Sequence, residues 1–209
     1  MAKQKLTYEA FGAYLPDNAL QKVMPWFENY TIKLTITKAR QSKLGDYLHP
    51  HPARPYHSIT ISSNQNPYSF LITLLHELAH LKAYIQYQNK IQPHGIEWQN
   101  IFKGILKEYL GCNIFPTAIE QAIQKSLSNL KASSCADKTL YKALAEFDPQ
   151  NDDNLQWLET LPIGSLFLFK DGHTYKIINK RRTRFLCEQT QTKKNYLFPG
   201  IAKVKIIEH

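Results

Sequence analysis

Leu74-Leu75-His76-Glu77-Leu78-Ala79-His80 is the stretch on which the reading of this chain turns. Asn66-Pro67 opens a helix ahead of it, and Phe70, Leu71, Leu74, Leu75, Leu78, Leu81 and Ile85 recur at three- and four-residue spacing as far as about Gln88. The spacing predicts a wide-faced, central helix. Two histidines four residues apart on such a helix lie one turn apart, rotated by only about 40°. Both imidazoles can reach one ion, and Glu77 stands beside that face. There a carboxylate can take a proton from a metal-activated water and return it to a leaving amine. With 8 His among 209 residues, and Glu at the chain's own frequency, an H-E-x-x-H match is expected by chance only about 0.014 times. Surface histidines on a solvated helix would not sit in so apolar a run.

A catalytic zinc takes three protein ligands and keeps one position open. His94, in Pro93-His94-Gly95-Ile96-Glu97-Trp98, is the best candidate for the third. Pro93 is read as fixing a helix start, Gly95 as removing a side chain where backbone would crowd the metal. Trp98, Ile101, Phe102, Ile105, Leu106 and Tyr109 form the helix's buried stripe, with Gly111 as its stop. Glu97 and Glu108 are alternative carboxylate ligands, Glu97 being equally suited to complement the helix dipole. The compact motif with a glycine and a third histidine close behind is ruled out, because Ala83 and Gln86 hold those places.

The run from Leu74 to His80 followed by His94-Gly95-Ile96-Glu97-Trp98 resembles the SprT-like family. There an H-E-x-x-H helix is followed by a third zinc histidine in an H-G-x-x-aromatic context, and the family includes the DNA-dependent protease Spartan. Lys38-Ala39-Arg40, Gly45-Asp46-Tyr47 and the strand Ile59-Thr60-Ile61 are also similar to its pattern, so the resemblance covers roughly residues 8 to 130. It implies a compact zincin-like α+β fold, one zinc per chain and proteolysis, and in the Spartan branch cleavage of proteins on DNA. Many bacterial relatives append a zinc ribbon with paired cysteines. The C-terminal segment here has only Cys187.

Before the motif, residues 6 to 30 read as two short helices interrupted by Pro16 and Pro25. Residues 31–37 and 57–62 read as strands, with a further short strand possible between them. The second strand is a candidate for pairing with an extended peptide. Tyr56, His57 and Arg54 are candidate oxyanion donors; His49 and His51 lie in a proline-rich loop. After the motif, helices at about 117–131 and 139–147 lead to the polar Asp148–Asn154 stretch, the expected boundary between a metallopeptidase domain at 1–150 and a β-rich module at 151–209.

From Gly164 the period changes to two, with Lys170-Asp171-Gly172 as a hairpin turn, which predicts a small antiparallel sheet of four or five strands. The net charge of +9 is uneven: residues 160–209 hold ten Lys or Arg against three Asp or Glu. Lys180, Arg181, Arg182, Arg184, Lys193 and Lys194, near Tyr175, Phe185, Tyr196 and Phe198, are candidate nucleic-acid contacts, while the same aromatics would equally serve as a small core. No secretory signal or membrane span is present, and three scattered cysteines suggest neither disulfides nor a thiolate metal site, so a cytoplasmic protein is expected.

The expectation is thus a zinc endopeptidase acting on protein substrates, with DNA or nucleoprotein as a partner. Its alternatives are a peptidase unrelated to DNA and a non-enzymatic binding factor with a structural metal.

Overall fold

The computed structural model describes residues 8–38, 43–127, 137–149 and 154–207. The chain divides into two compact units, Met1–Pro149 and Gln150–His209, and both combine into a mixed α+β class, a small sheet with helices in one and an antiparallel sheet in the other.

In the first unit, α1 (Tyr8–Gly12) and α2 (Ala19–Asn29) precede β1 (Ile32–Thr37), β2 (Gly45–Leu48) and β3 (His57–Ser62). Pro25 does not interrupt the second helix, contrary to the sequence reading: it lies inside α2. A proline there forfeits one backbone hydrogen bond. Burial of Ala19 and Val23 and the edge-on contact of Phe27 with Phe11 hold the helix together regardless. Asn29 Nδ2 donates to the Pro25 carbonyl at 2.8 Å, satisfying one of the acceptors near the helix end.

The short strand between the two expected ones is present, and it changes the topology. The sheet order is β1-β3-β2, with β1 parallel and β2 antiparallel to β3. β3 is therefore central, with Ile59 and Ile61 fully buried, and both its edges are taken. It cannot accept an added peptide strand; among the described residues the outer edges of the sheet belong to β1 and β2.

Next come α3 (Pro67–Tyr87) and α4 (Ile96–Glu108). Asn66 caps α3, accepting from Ser69 N at 2.9 Å with Pro67 at the first helical position. Its amide also donates to Leu144 O and Asp148 Oδ1, at 2.9 and 2.7 Å, which ties this helix start to the end of the unit. Leu71, Leu74, Leu75, Leu78 and Leu81 of α3 are wholly buried, each worth ~1.5–3 kcal/mol of apolar burial. This burial makes α3 the central helix. α4 starts at Ile96 with Gly95 as its N-cap, not at Pro93; Gly111, at φ 69°, lies just beyond its end. α5 (Thr117–Leu127) and α6 (Lys138–Ala145) complete the unit. The expected continuation of α5 to residue 131, Cys135 and part of the polar boundary stretch lie outside the described residues.

The second unit is a six-stranded antiparallel sheet, one strand more than expected, in the order β4-β9-β5-β6-β7-β8. The strands are β4 (Leu155–Trp157), β5 (Leu166–Leu168), β6 (Thr174–Arg181), β7 (Arg184–Gln189), β8 (Asn195–Pro199) and β9 (Lys203–Ile206). The extra strand, β4, is only three residues long and exists by pairing with β9, which no local pattern announces. Phe167, Ile177, Cys187 and Val204 are fully buried at its core. No helix among the described residues is long and apolar enough to cross a membrane.

Candidate metal centre

His76 and His80 leave α3 one turn apart, and His94 approaches from the turn ahead of α4. Their Nε2 atoms form a near-equilateral triangle: His76 to His80 3.2 Å, His80 to His94 3.0 Å, His94 to His76 3.1 Å. Each Nε2 carries either a proton or a lone pair. Among three in mutual contact at least two are alike, so one edge of the triangle must repel. A cation shared by three lone pairs removes that conflict. For nitrogens about 2.0–2.1 Å from a tetrahedral zinc, the nitrogen–nitrogen edge is roughly 3.3 Å, close to what is found. Among the described residues these three histidines form the group able to hold a metal ion. Glu97 and Glu108, at the first turn and the end of α4, are not part of it.

The surroundings keep the rings neutral, the form that binds metal. Burial, then the charges of His80 and His94, push His76 down to about 3; burial and His94 push His80 down to about 4; burial lowers His94. Trp98 is the wall behind all three, with ring centroids 4.7, 5.1 and 4.7 Å from His76, His80 and His94. It is itself buried, and its indole Nε1 has no hydrogen-bond partner among the described residues.

His94 adopts φ 60°, in the left-handed region. Two contacts hold it there: Gly95 N donates to Gln92 O at 2.9 Å, and Gln99 Nε2 donates to the His94 carbonyl at 3.0 Å. Gly95 is a glycine for a reason other than the one expected. A Cβ there would meet Gln92 O at 3.0 Å and Glu97 Oε2 at 3.3 Å, within the turn itself, with no metal ligand among its nearest neighbours.

Glu77 is 5% exposed. Burial, reinforced by Asp46 and opposed by Lys43, pushes its carboxyl up to about 8. Its side chain lies against β2, where Gly45 offers bare backbone. Two residues further along the same strand, and so on the same face, Tyr47 stacks nearly parallel on His80, with centroids 6.3 Å apart. The Tyr47 hydroxyl is 2.8 Å from His57 Nδ1. Burial raises the tyrosine pKa, and burial with His49 lowers that of His57, so both are neutral.

Of the residues expected as oxyanion donors, His57 is engaged with Tyr47. Tyr56 receives the Lys33 ammonium at 3.3 Å, and Arg54 Nη2 donates to the His49 carbonyl. His49 stacks on Tyr84 at 4.7 Å, and His51 Nδ1 accepts from Ala53 N. Neither joins the triad. Tyr47 is the neighbour that residue spacing did not single out; its strand is too short for a periodic signal.

In the second unit the basic residues separate into two groups. Lys180, Arg181, Arg182 and Arg184 surround the β6–β7 turn, whereas Lys193 and Lys194 precede β8 at the other end of β7. A six-residue strand puts these ends roughly 17 Å apart. Lys193 is also paired with Glu188 at 3.2 Å. Tyr175, Phe185 and Phe198 are buried and only Tyr196 of the four aromatics is exposed, so the interleaved aromatics are mainly core.

Compared with known proteins, the chain matches the family model described as SprT-like over residues 15–119, half of its length and all of the triad. No curated protein and no solved structure matches it.

Proposed function

The chain belongs to the SprT-like family, and from that premise we propose that its first unit is a zinc-dependent endopeptidase of zincin-like architecture. Family membership is consistent with a metallopeptidase-like function. The observation that carries the finer reading is the convergence of His76, His80 and His94 Nε2 atoms beside a buried Glu77. Neutral imidazoles in a closed triangle suit zinc, whose bound form supplies Lewis acidity, making water nucleophilic near neutral pH and polarising a carbonyl.

The residues do the rest. Glu77, as the carboxylate, would accept the proton of the attacking water and hand it to the departing amine. Trp98 excludes solvent behind the ligands, which strengthens every electrostatic interaction in front of them. The free edge of β2, alongside Glu77 and His80, suits an extended polypeptide, whose backbone it would pair without regard to side chains.

The β-rich module, assigned to residues 151–209, is proposed to bring this chemistry to DNA-associated proteins through Lys180, Arg181, Arg182 and Arg184 at one turn, with Lys193 and Lys194 as weaker contributors. Zinc per chain in wild type and His94→Ala, paired with cleavage of a DNA-bound protein by wild type and Glu77→Gln, tests the proposal. One zinc, lost without His94, and cleavage reduced at least ~10³-fold with zinc retained in Glu77→Gln is the expected result. Zinc without cleavage would leave a metal-stapled binding factor. Cleavage indifferent to DNA and salt would detach the second unit from it.

A further inference from the structure

Gly45 opens β2 directly against the motif helix. A methyl group on its Cα would lie 2.5 Å from Glu77 Oε1, 2.7 Å from Thr73 Cγ2 and 3.1 Å from Glu77 Cδ. Side-chain carbons do not approach so closely, so either the carboxylate or the strand would have to move. The space on the other side is closed as well, because Thr73 stands one helical turn before Glu77 and points at the same backbone. The carboxylate is seated on Gly45 because there is no side chain.

A second set of contacts keeps the strand at that distance. Thr73 Oγ1 donates to Gln65 Oε1 at 2.7 Å, and Gln65 Nε2 donates to the carbonyls of Ser62 and Leu44, at 3.2 and 3.4 Å. Ser62 N donates to the same Leu44 carbonyl at 2.8 Å. One amide thus joins α3, the end of β3 and the residue immediately before Gly45. The strand cannot drift from the helix without breaking this bolt.

We infer that Gly45, backed by the Gln65–Thr73 bolt, is a positioning residue that fixes where the Glu77 carboxylate stands for proton transfer. The inference rests on the peptidase reading. It acts on the general base alone: none of the three histidines touches Gly45 among its nearest neighbours, so metal binding and base placement are separable.

The test uses the full-length, zinc-loaded chain as wild type, Gly45→Ala, Gln65→Ala and Gly104→Ala. The last is a control, since a Cβ at Gly104 meets nothing within 4 Å. Misplacing a catalytic group by about 1 Å can cost ~100-fold, so Gly45→Ala should lower kcat by about that factor with KM within about twofold. Zinc affinity by chelator competition should stay within about threefold, because the ligands are untouched. Gln65→Ala should lower kcat less, by about tenfold, and Gly104→Ala not at all. A crystal structure of Gly45→Ala should show the Glu77 carboxylate displaced from its wild-type place. An unmoved carboxylate with kcat within twofold overturns the inference, as does a loss of kcat that comes with loss of zinc. Should the wild type bind zinc and cleave nothing, the peptidase reading falls; the two crystal structures then decide the positioning alone, an unmoved carboxylate overturning it and a displaced one sustaining it.

Discussion

The two units bury different kinds of side chain. The first encloses Glu77, His57, Asn66 and Thr73 within or beside an apolar core, along with the partly buried triad; among the described residues of the second, Gln189 is the buried polar side chain. Burying an ionisable group costs several kcal/mol unless something compensates it. The first unit sustains that cost around one constellation, while the second keeps its charges outside and packs Phe167, Tyr175, Ile177 and Phe198 in the usual way. Ionisable carboxyl and imidazole groups lie in the interior of one and on the surface of the other.

The hardest way to break this comparison is to damage the second core. Phe167 is fully buried and contacts Tyr175 and Phe198 at 5.6 and 5.5 Å between centroids. Phe167→Ala should destabilise the second unit by ~3–5 kcal/mol, read by denaturant unfolding, while one zinc per chain is still bound. Loss of the metal in that variant would show that the triad depends on the β-sheet and that the division of labour is false.

Acidity sharpens the comparison in the metal-free protein. His76 near 3, His80 near 4 and a lowered His94 all bind protons in the unfolded chain, ordinary value 6.5, before they do so folded. Their contribution to stability therefore falls as pH drops below 6.5. Glu77, raised from 4.5 to about 8, works in reverse: the folded state holds its proton, and stability falls as pH rises through that window. Between 4.5 and 6.5 the histidines outnumber it; above 6.5 it acts alone. Thermal unfolding of the first unit in chelator should be most resistant near pH 6.5, and Glu77→Gln should remove the decline on the alkaline side. A flat profile would mean that these groups are not buried as described.

The smallest effect concerns thiols. Burial pushes Cys187 up to about 12, whereas Cys112 is half-buried. In a Cys135→Ser background, Cys187 should react with an alkylating reagent ~100-fold or more slowly than Cys112, its rate following unfolding of the second unit. Equal rates would show that the second core opens readily.

How much of this could be read from sequence follows the range of the forces involved. The motif helix was legible from Asn66 to Tyr87 because capping, proline placement and periodicity all act within a few residues. The strands of the second unit were mostly legible for the same reason, since alternation and the Asp171-Gly172 turn are local. β4 was not, because three residues become a strand only by meeting β9. Pro25 misled because tertiary burial outweighed a local preference. His76 and His80 could be named from spacing, whereas His94 was the best of three candidates, beside Glu97 and Glu108, and was favoured by the family resemblance; the structure brings all three histidines together. Tyr47 on His80, and Glu77 on Gly45, arise from a strand crossing the helix some thirty residues away in the chain, a juxtaposition without a local signature. The basic residues, read from sequence as candidate nucleic-acid contacts, are exposed, and their separation to two ends of β7 depended on the hairpin register.

The left-handed backbone of His94 sets two demands on one position. The torsion favours glycine or asparagine, yet either would withdraw the third imidazole; on the proposed metal reading, the histidine accepts a conformational penalty of order 1 kcal/mol. No single substitution can satisfy both. Natural variation that strengthens this corner has to occur around it, in the hydrogen bond from Gln99 and the tight turn at Gly95, and a search for stabilising changes at residue 94 would select against the site it holds.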